Sequence, residues 1–323
     1  MSGPIPVAVV GCGAFGRHHA RIYRQLPQAR LVGVYDTDRA RAQALAQQHE
    51  TQVLASLEEV AEQAAAASVA VPTVAHADVA SFLFERGLDL LVEKPIAPSL
   101  ADADRMIAAA ARRGRLLMVG HLERFNPVVR LVRARLTRPL FFEVHRLSVF
   151  TPRSLDVDVL LDLMIHDLDI VRSFVGAAVT DLQAVGLAVL SRHTDIANVR
   201  LSFAGGCVAN LTASRVSTEQ VRKLRFFQPG EYLSLDYARR DAQVFSVDLK
   251  NGMPAIAREQ LQGGADEPLA LEIAAFLDAA ASRRAPEVDG GEARAALELA
   301  LRAAAAISVH HQILRTASQG AQP

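Results

Sequence analysis

Lys94, Asp162 and His166 are the side chains of this sequence best suited to moving a proton. Of 35 Lys and Arg residues only Lys94, Lys223 and Lys250 are lysines, so an ammonium in LVEKPIAP, after an apolar run and before Pro95, stands out. Lysine is a compact donor whose pKa responds to desolvation; arginine stays charged. In VLLDLMIHDLDIVRSFVG almost every helical position is apolar, yet Asp162, His166, Asp169 and Ser173 recur at i, i+4, i+7 and i+11. That spacing puts all four on one stripe of an α-helix. Ionisable groups in an apolar helix cost free energy unless they find partners, so the stripe marks a candidate site. Histidine's ordinary pKa of about 6.5 suits proton exchange near neutrality, and an ammonium beside the same oxygen stabilises developing negative charge. The plain alternatives are a solvated lysine paired with Glu93 and an interior histidine flanked by capping acids.

A second cluster suits phosphate. VAVVGCGAFG sets Gly11, Gly13 and Gly16 in G-x-G-x-x-G spacing directly after an apolar strand and at the start of a helix. In that pattern Gly11 permits a tight turn, Gly13 lets the backbone approach a diphosphate, and Gly16 lets helix and strand pack closely. The helix N-terminus, with Ala14 and Phe15 in the loop, supplies free amides and partial positive charge. Asp36 follows twenty residues past Gly16, at the end of LVGVY, where an acid accepts the adenosine ribose hydroxyls. Its charge repels a 2′-phosphate and so favours NAD over NADP, while Arg39, three residues on, keeps NADP in play. Turn-forming glycines and a helix-capping Asp36 are the alternative.

The elements that must position these groups follow from the hydrophobic pattern. Up to about residue 120, short apolar runs (PVAVV, LVGVY, SVAVP, LDLLVE, LLMVG) alternate with helical segments. Strict alternation implies βαβ units, right-handed crossovers and a buried parallel sheet, which is a doubly wound domain over 1–121. Ligands of such sheets sit outside the carboxyl ends of the strands, so Pro72, Thr73 and His76 after one strand, and Glu93 and Lys94 after another, should border a nicotinamide. Beyond Gly120 the rhythm changes to longer β-like stretches around the apolar helix near 159–175. This predicts an α+β domain over 122–323 with a large, mainly antiparallel sheet, closed by two Ala-rich helices. The last helix, about 291–316, is expected near the domain junction.

Bulk composition excludes several classes. Half of the 323 residues are hydrophobic, 22% are charged and the net charge is zero, so nothing calls for nucleic acid or an anionic membrane. Cys12 and Cys207 are far apart and lack ligand spacing, so neither a metal site nor a disulfide framework is expected. No run of about 18 apolar residues occurs, and IPVAVV is broken at once by Gly11; the expectation is a cytoplasmic protein.

The glycine loop, the P-T-x-x-H segment at Pro72 to His76, Glu93-Lys94-Pro95 and the D-x-x-x-H pair Asp162/His166, in that order along nearly the whole chain, resemble the Gfo/Idh/MocA oxidoreductases. The resemblance implies a Rossmann domain followed by a substrate-binding and oligomerisation domain, a homodimer or homotetramer, and NAD-linked oxidation of a secondary hydroxyl. It implies that Lys94 hydrogen-bonds the reacting oxygen, that His166 is the general acid/base and that Asp162 holds substrate or tunes the other two. A cis Lys94–Pro95 peptide is also frequent in the family.

GHLERFNPVV, together with FTPRSLDVDVLLDLMIHDLD, is similar to the branch acting on nucleotide sugars, the UDP-N-acetylglucosamine 3-dehydrogenases that lead to lipid A precursors. On that resemblance His121, Glu123, Arg124, Asn126, Arg146, Arg153 and Arg215 are candidate substrate contacts beside Asp162 and His166, since arginine's planar fork suits phosphate oxygens. A solvated surface role for any one arginine, and a structural role for His121 and Glu123, stand beside that reading. An inositol or free-sugar dehydrogenase and a dinucleotide-binding sensor without turnover are the competing functions.

Overall fold

The alternating runs before Gly120 become β1 (Ile5–Val10), α1 (Ala14–Gln25), β2 (Ala29–Tyr35), α2 (Arg39–Gln48), β3 (Gln52–Val53), α3 (Leu57–Gln63), β4 (Ala66–Val69), α4 (Thr73–Glu85), β5 (Asp89–Glu93), α5 (Leu100–Arg112) and β6 (Leu117–Gly120). After them come α6 (Pro127–Arg133), β7 (Phe141–Val149), a π-helical turn at Leu160–Met164 and α7 (Ile165–Val175). The chain continues through β8 (Val179–Leu187), β9 (Ile196–Phe203), β10 (Val208–Ser217), β11 (Val221–Gln228), β12 (Glu231–Asp236), β13 (Asp241–Lys250) and β14 (Met253–Gln262). It closes with α8 (Pro268–Ser282) and α9 (Gly290–Gly320). This computed structural model describes residues 3–151, 157–250 and 253–320, without the side chains of 248–254 and 314–320.

The chain divides into two compact units, one formed by the chain up to Phe125 with Asp266–Leu297, the other by Asn126–Ala265 with the chain from Glu298. The change of sequence pattern near residue 121 does not reveal that α8 belongs with the first unit. Its apolar face explains the placement: Ile273, Phe276 and Leu277 are buried, and α8 packs against α1 and β5.

In the first unit six strands run in the order β3-β2-β1-β4-β5-β6, all parallel. Val7, Val9, Leu90, Leu91 and Val92 are fully buried, as a sheet covered on both faces requires. Strand order reverses between β1 and β4, and the crevice at their carboxyl ends is where such sheets take ligands. The sequence reading passes over β3, two residues long, and α3. Ser56 caps α3 by accepting the Glu59 N–H, a signature legible once the helix is sought.

The second unit is an eight-stranded sheet in the order β14-β13-β12-β11-β7-β10-β9-β8, antiparallel except for β7 beside β10. Alternate residues of β7, Phe142, Val144 and Arg146, point into the buried face, where Phe142, Phe174 of α7 and Phe226 form an aromatic cluster. The stretch NVRLSFAGGCVANLTAS is two strands joined by a tight turn, with Gly205 and Gly206 at φ +92 and +87.

Candidate active site

The glycine loop is built as its spacing requires. Gly11 has φ +97, and a Cβ there would lie 2.5 Å from the Ala70 carbonyl oxygen; one on Gly16 would lie 1.8 Å from the Gly11 carbonyl oxygen. Gly13 faces open space and caps α1 without any side-chain acceptor, and the first turn holds no acid. The first amides of α1, among Ala14, Phe15 and Gly16, are therefore available to an anion. Asp36 Oδ2 accepts the Cys12 N–H at 2.7 Å, and Oδ1 accepts the Asp38 N–H at 2.8 Å. A cavity of about 190 Å³ beside it is lined by Tyr35, Asp36, Thr37, Arg39, Leu54 and Ala55. An uncapped helix start, an open glycine and a carboxylate beside a small cavity fit the diphosphate and ribose of a dinucleotide.

At the ends of β4 and β5 the structure separates presented groups from buried ones. Thr73 and Lys94 are half-buried and Pro72 is exposed. The Lys94–Pro95 peptide is cis. His76, by contrast, is buried: its Nδ1 faces the carbonyl oxygens of Pro95 and Ile96 at 3.1 and 3.3 Å, and its Nε2 faces that of Val71 at 3.0 Å. Desolvation lowers its pKa against the pull of those carbonyls. His76 thus ties the loop after β4 to the loop after β5 and stands behind the site. Glu93 is likewise buried and turned toward α1, where His19 Nε2 lies 2.8 Å from its Oε1.

The apolar helix of the second unit is not a uniform α-helix. Asp162 lies in the π-helical turn and His166 in the first turn of α7, so the single stripe read from the sequence is broken. The wider winding of a π turn changes the angle between Asp162 and the residues after it, and such turns recur at functional sites. Asp162 and His166 are half-buried. Asp169 is buried, and Ser173 donates its hydroxyl to the Ile170 carbonyl at 2.8 Å. Asp167, which the spacing argument passes over, binds Arg146 through two bonds of 2.6 and 2.9 Å with both side chains buried.

The remaining candidate contacts are mostly engaged within their own unit. Arg146 makes the pair just described and lies over the Tyr237 ring at 5.1 Å. Asn126 caps α6 by accepting the Val128 N–H at 3.3 Å and donates to the Tyr237 carbonyl at 3.1 Å. Buried Arg124 pairs with Glu292 at 2.9 Å. Arg215 donates to the Val157 carbonyl and sits 3.9 Å from Asp195, whose carboxylate also accepts the N–H groups of Val189, Leu190 and Ser191. Burial pushes the Asp195 pKa up, but these donors outweigh it and hold the carboxyl well below its usual range. His121 is buried and Glu123 half-buried. Arg153 lies outside the described residues.

Residues 5–121 match the model of an oxidoreductase family with an NAD-binding Rossmann fold, and residues 128–227 match the GFO/IDH/MocA C-terminal domain. UDP-N-acetylglucosamine 3-dehydrogenase of Acidithiobacillus ferrooxidans is 34% identical over 94% of this chain and 97% of its own length. The chain belongs to the Gfo/Idh/MocA family. A solved structure of that enzyme, GnnA, matches with a TM-score of 0.90 at 34% identity, covering 96% of this chain and 99% of the other. The myo-inositol dehydrogenase Hyg17 of Streptomyces leeuwenhoekii is 34% identical over 57% of this chain and 59% of its own. Levoglucosan dehydrogenase, solved with NADH and levoglucosan, shares the fold with a TM-score of 0.83 at 18% identity. Residues 5–121, which include the glycine loop and Asp36, accordingly form the NAD-binding Rossmann domain of a Gfo/Idh/MocA oxidoreductase acting on CH–OH groups.

Proposed function

We propose that this protein oxidises UDP-N-acetylglucosamine at C3 of the sugar to the 3-keto sugar, with NAD as oxidant. The observation that carries the reading is its 34% identity to a UDP-N-acetylglucosamine 3-dehydrogenase, sustained over 94% of the chain and 97% of that enzyme. The inositol dehydrogenase likeness extends over little more than half of either chain.

When bound, NAD supplies the hydride acceptor. The chain's own residues have separable tasks. The amides at the start of α1 hold the diphosphate, and Asp36 holds the ribose hydroxyls and disfavours a 2′-phosphate. Lys94 donates to the reacting oxygen and stabilises the charge that develops as its proton leaves. His166 takes that proton as general base, with Asp162 orienting it. His121 and Glu123 remain our candidates for sugar contacts, together with Arg153.

Turnover of UDP-N-acetylglucosamine with NAD, followed by NADH absorbance, tests the reading. An unchanged kcat/KM when the uridine diphosphate is removed would assign a free-sugar or inositol dehydrogenase. Tight NAD binding with no NADH from any sugar or sugar nucleotide would assign a sensor. Lys94→Ala and His166→Ala should each lose about 10² to 10⁴-fold in kcat. Wild-type turnover in either variant removes the role given to that residue.

We further place the protein in the cytoplasm, on the route to lipid A aminosugars. Among the described residues no helix is long and apolar enough to cross a membrane. A homodimer or homotetramer would use the second face of the large sheet, where Phe141, Phe227, Tyr232 and Phe245 form a ladder with ring centroids 4.8 to 5.7 Å apart.

A further inference from the structure

A buried polar chain runs through the first unit and ends beside Lys94. His19 lies on the inner face of α1, three residues past Gly16, at 0% exposure. Its Nδ1 is 2.8 Å from Ser68 Oγ on β4, and its Nε2 is 2.8 Å from Glu93 Oε1 at the end of β5. Ser68 Oγ is in turn 2.7 Å from the hydroxyl of Tyr23, which sits one turn further along α1 and is also fully buried.

Counting protons fixes the direction of these bonds. The Glu93 carboxylate accepts only, so His19 Nε2 carries a hydrogen. Tyr23 donates to Ser68, Ser68 donates to Nδ1, and a neutral imidazole satisfies every group. The opposite order needs a proton on Nδ1 and turns the Ser68 hydroxyl toward Tyr23. The Tyr23 hydrogen would then have no acceptor among the described residues. Because Tyr23 and Ser68 are both closed off from solvent, the chain cannot carry a proton out of the protein. It can only hold Glu93 in place.

The location gives that restraint a use. Glu93 directly precedes Lys94, and a Cβ on Gly120 would come within 3.2 to 3.3 Å of its carboxylate. Glycine at 120 thus leaves the space that the carboxylate needs to reach His19. The same network starts on α1, whose first turn receives the cofactor diphosphate. Glu272 of α8 is fully buried, and neither of its oxygens has a hydrogen-bond partner among the described residues. Burial, and then the nearby Glu93 charge, raise the Glu272 pKa well above the usual carboxylate range, which disfavours a second negative charge beside Glu93. Apolar residues of the same shape would serve stability at least as well as such a buried polar set, which points to positioning as its purpose.

We propose that His19 is a positioning residue for Lys94: by holding Glu93 it locks the exit of β5 to the cofactor helix and fixes where the lysine ammonium can reach. The inference rests on the reading of Lys94 as the group that meets the reacting oxygen. A displacement of about 1 Å in such a group can cost 10²-fold in rate.

The experiment compares His19→Leu, His19→Gln and His19→Asn, assayed with NAD and UDP-N-acetylglucosamine. Leucine removes the donor to Glu93, glutamine keeps an N–H at the level of Nε2, and asparagine places its amide at the level of Nδ1, short of Glu93. His19→Leu should lower kcat by about 10²-fold while the KM for NAD stays within about threefold, and His19→Gln should recover most of the loss. Should His19→Leu not fold, the Gln and Asn variants decide, with kcat at least tenfold higher for Gln. In a Lys94→Ala background His19→Leu should cost nothing further in turnover, which a merely structural role would not produce.

Equal kcat in the Gln and Asn variants, or wild-type kcat in a folded His19→Leu, overturns the proposal. Lys94→Ala separates the two levels: wild-type turnover there overturns both the lysine's role and the brace. An inactive Lys94→Ala beside a fully active His19→Leu overturns the brace alone.

Discussion

The Asp36 carboxylate accepts the backbone N–H of Cys12 at 2.7 Å, joining the end of β2 to the middle of the glycine loop. One side chain thus shapes the glycine loop and carries the charge that, in the proposed function, meets the adenosine ribose. Like charge placed against a 2′-phosphate costs several kcal/mol. Asp36→Asn keeps an acceptor for Cys12 and removes the charge. The ratio of kcat/KM for NAD over NADP should fall by at least about tenfold. An unchanged ratio would move cofactor selection to Arg39 or elsewhere.

Arg146 was attractive as a diphosphate ligand because its type suits phosphate, yet it is committed to Asp167 through two short bonds in the interior of the second unit. Removing one partner of a buried pair leaves the other charge uncompensated, typically at about 3 to 5 kcal/mol. Arg146→Met should lower unfolding stability on that scale in a denaturant titration, and Arg146→Met with Asp167→Leu should recover part of it. A large rise in substrate KM at unchanged stability would restore the substrate role.

Both cysteines should be inert in the native protein. Burial, then the Asp36 carboxylate, pushes the Cys12 thiol up to about 12 against the pull of Arg17; burial raises Cys207 to about 11. The thiolate is the reacting species, so at pH 8 only about one thiol in a thousand or fewer is ready to react at either position. A thiol reagent at pH 8 should label neither residue before denaturation and both after it. Rapid labelling of the folded protein would contradict the burial of Cys12 beside Asp36.

The backbone geometry of the glycine loop was legible in the sequence. Gly11 and Gly16 could be assigned separate duties because a turn with φ +97 and a close helix contact each exclude a side chain, while Gly13 faces open space. Lys94 was marked by rarity and by Pro95 after it. Tertiary partnerships were not legible, since residue type alone does not say which partner a charge finds. Arg146, Asn126 and Arg215 carry the right chemistry for a nucleotide sugar and spend it on Asp167, a helix cap and the Val157 carbonyl. The stripe through Asp162 and His166 is less regular than its spacing predicts. Its spacing presumed 3.6 residues per turn throughout, and a π turn at Leu160–Met164 interrupts that period. His19 did leave a trace: it and Tyr23 stand four residues apart on the buried face of α1, a pairing that calls for partners inside the sheet.

Glu272 provides a test in stability. Its side chain is fully buried without a hydrogen bond among the described residues; burial first, and the Glu93 charge second, raise its pKa well above the carboxylate range. In the unfolded chain the same carboxyl ionises near about pH 4.3. Between those two values the unfolded state releases a proton that the folded state keeps, so this group's contribution is fully present below about pH 4.3 and is lost as pH rises toward the folded value. The slope from one such proton is at most about 1.4 kcal/mol per pH unit. Glu272→Gln reproduces the protonated side chain and cannot ionise. Unfolding free energies from denaturant titrations at several pH values should show the variant gaining on the wild type from pH 5 upward, by an increment that grows with pH and stops at the folded pKa. A constant difference across that range would mean that Glu272 ionises in the folded protein as it does in the unfolded chain.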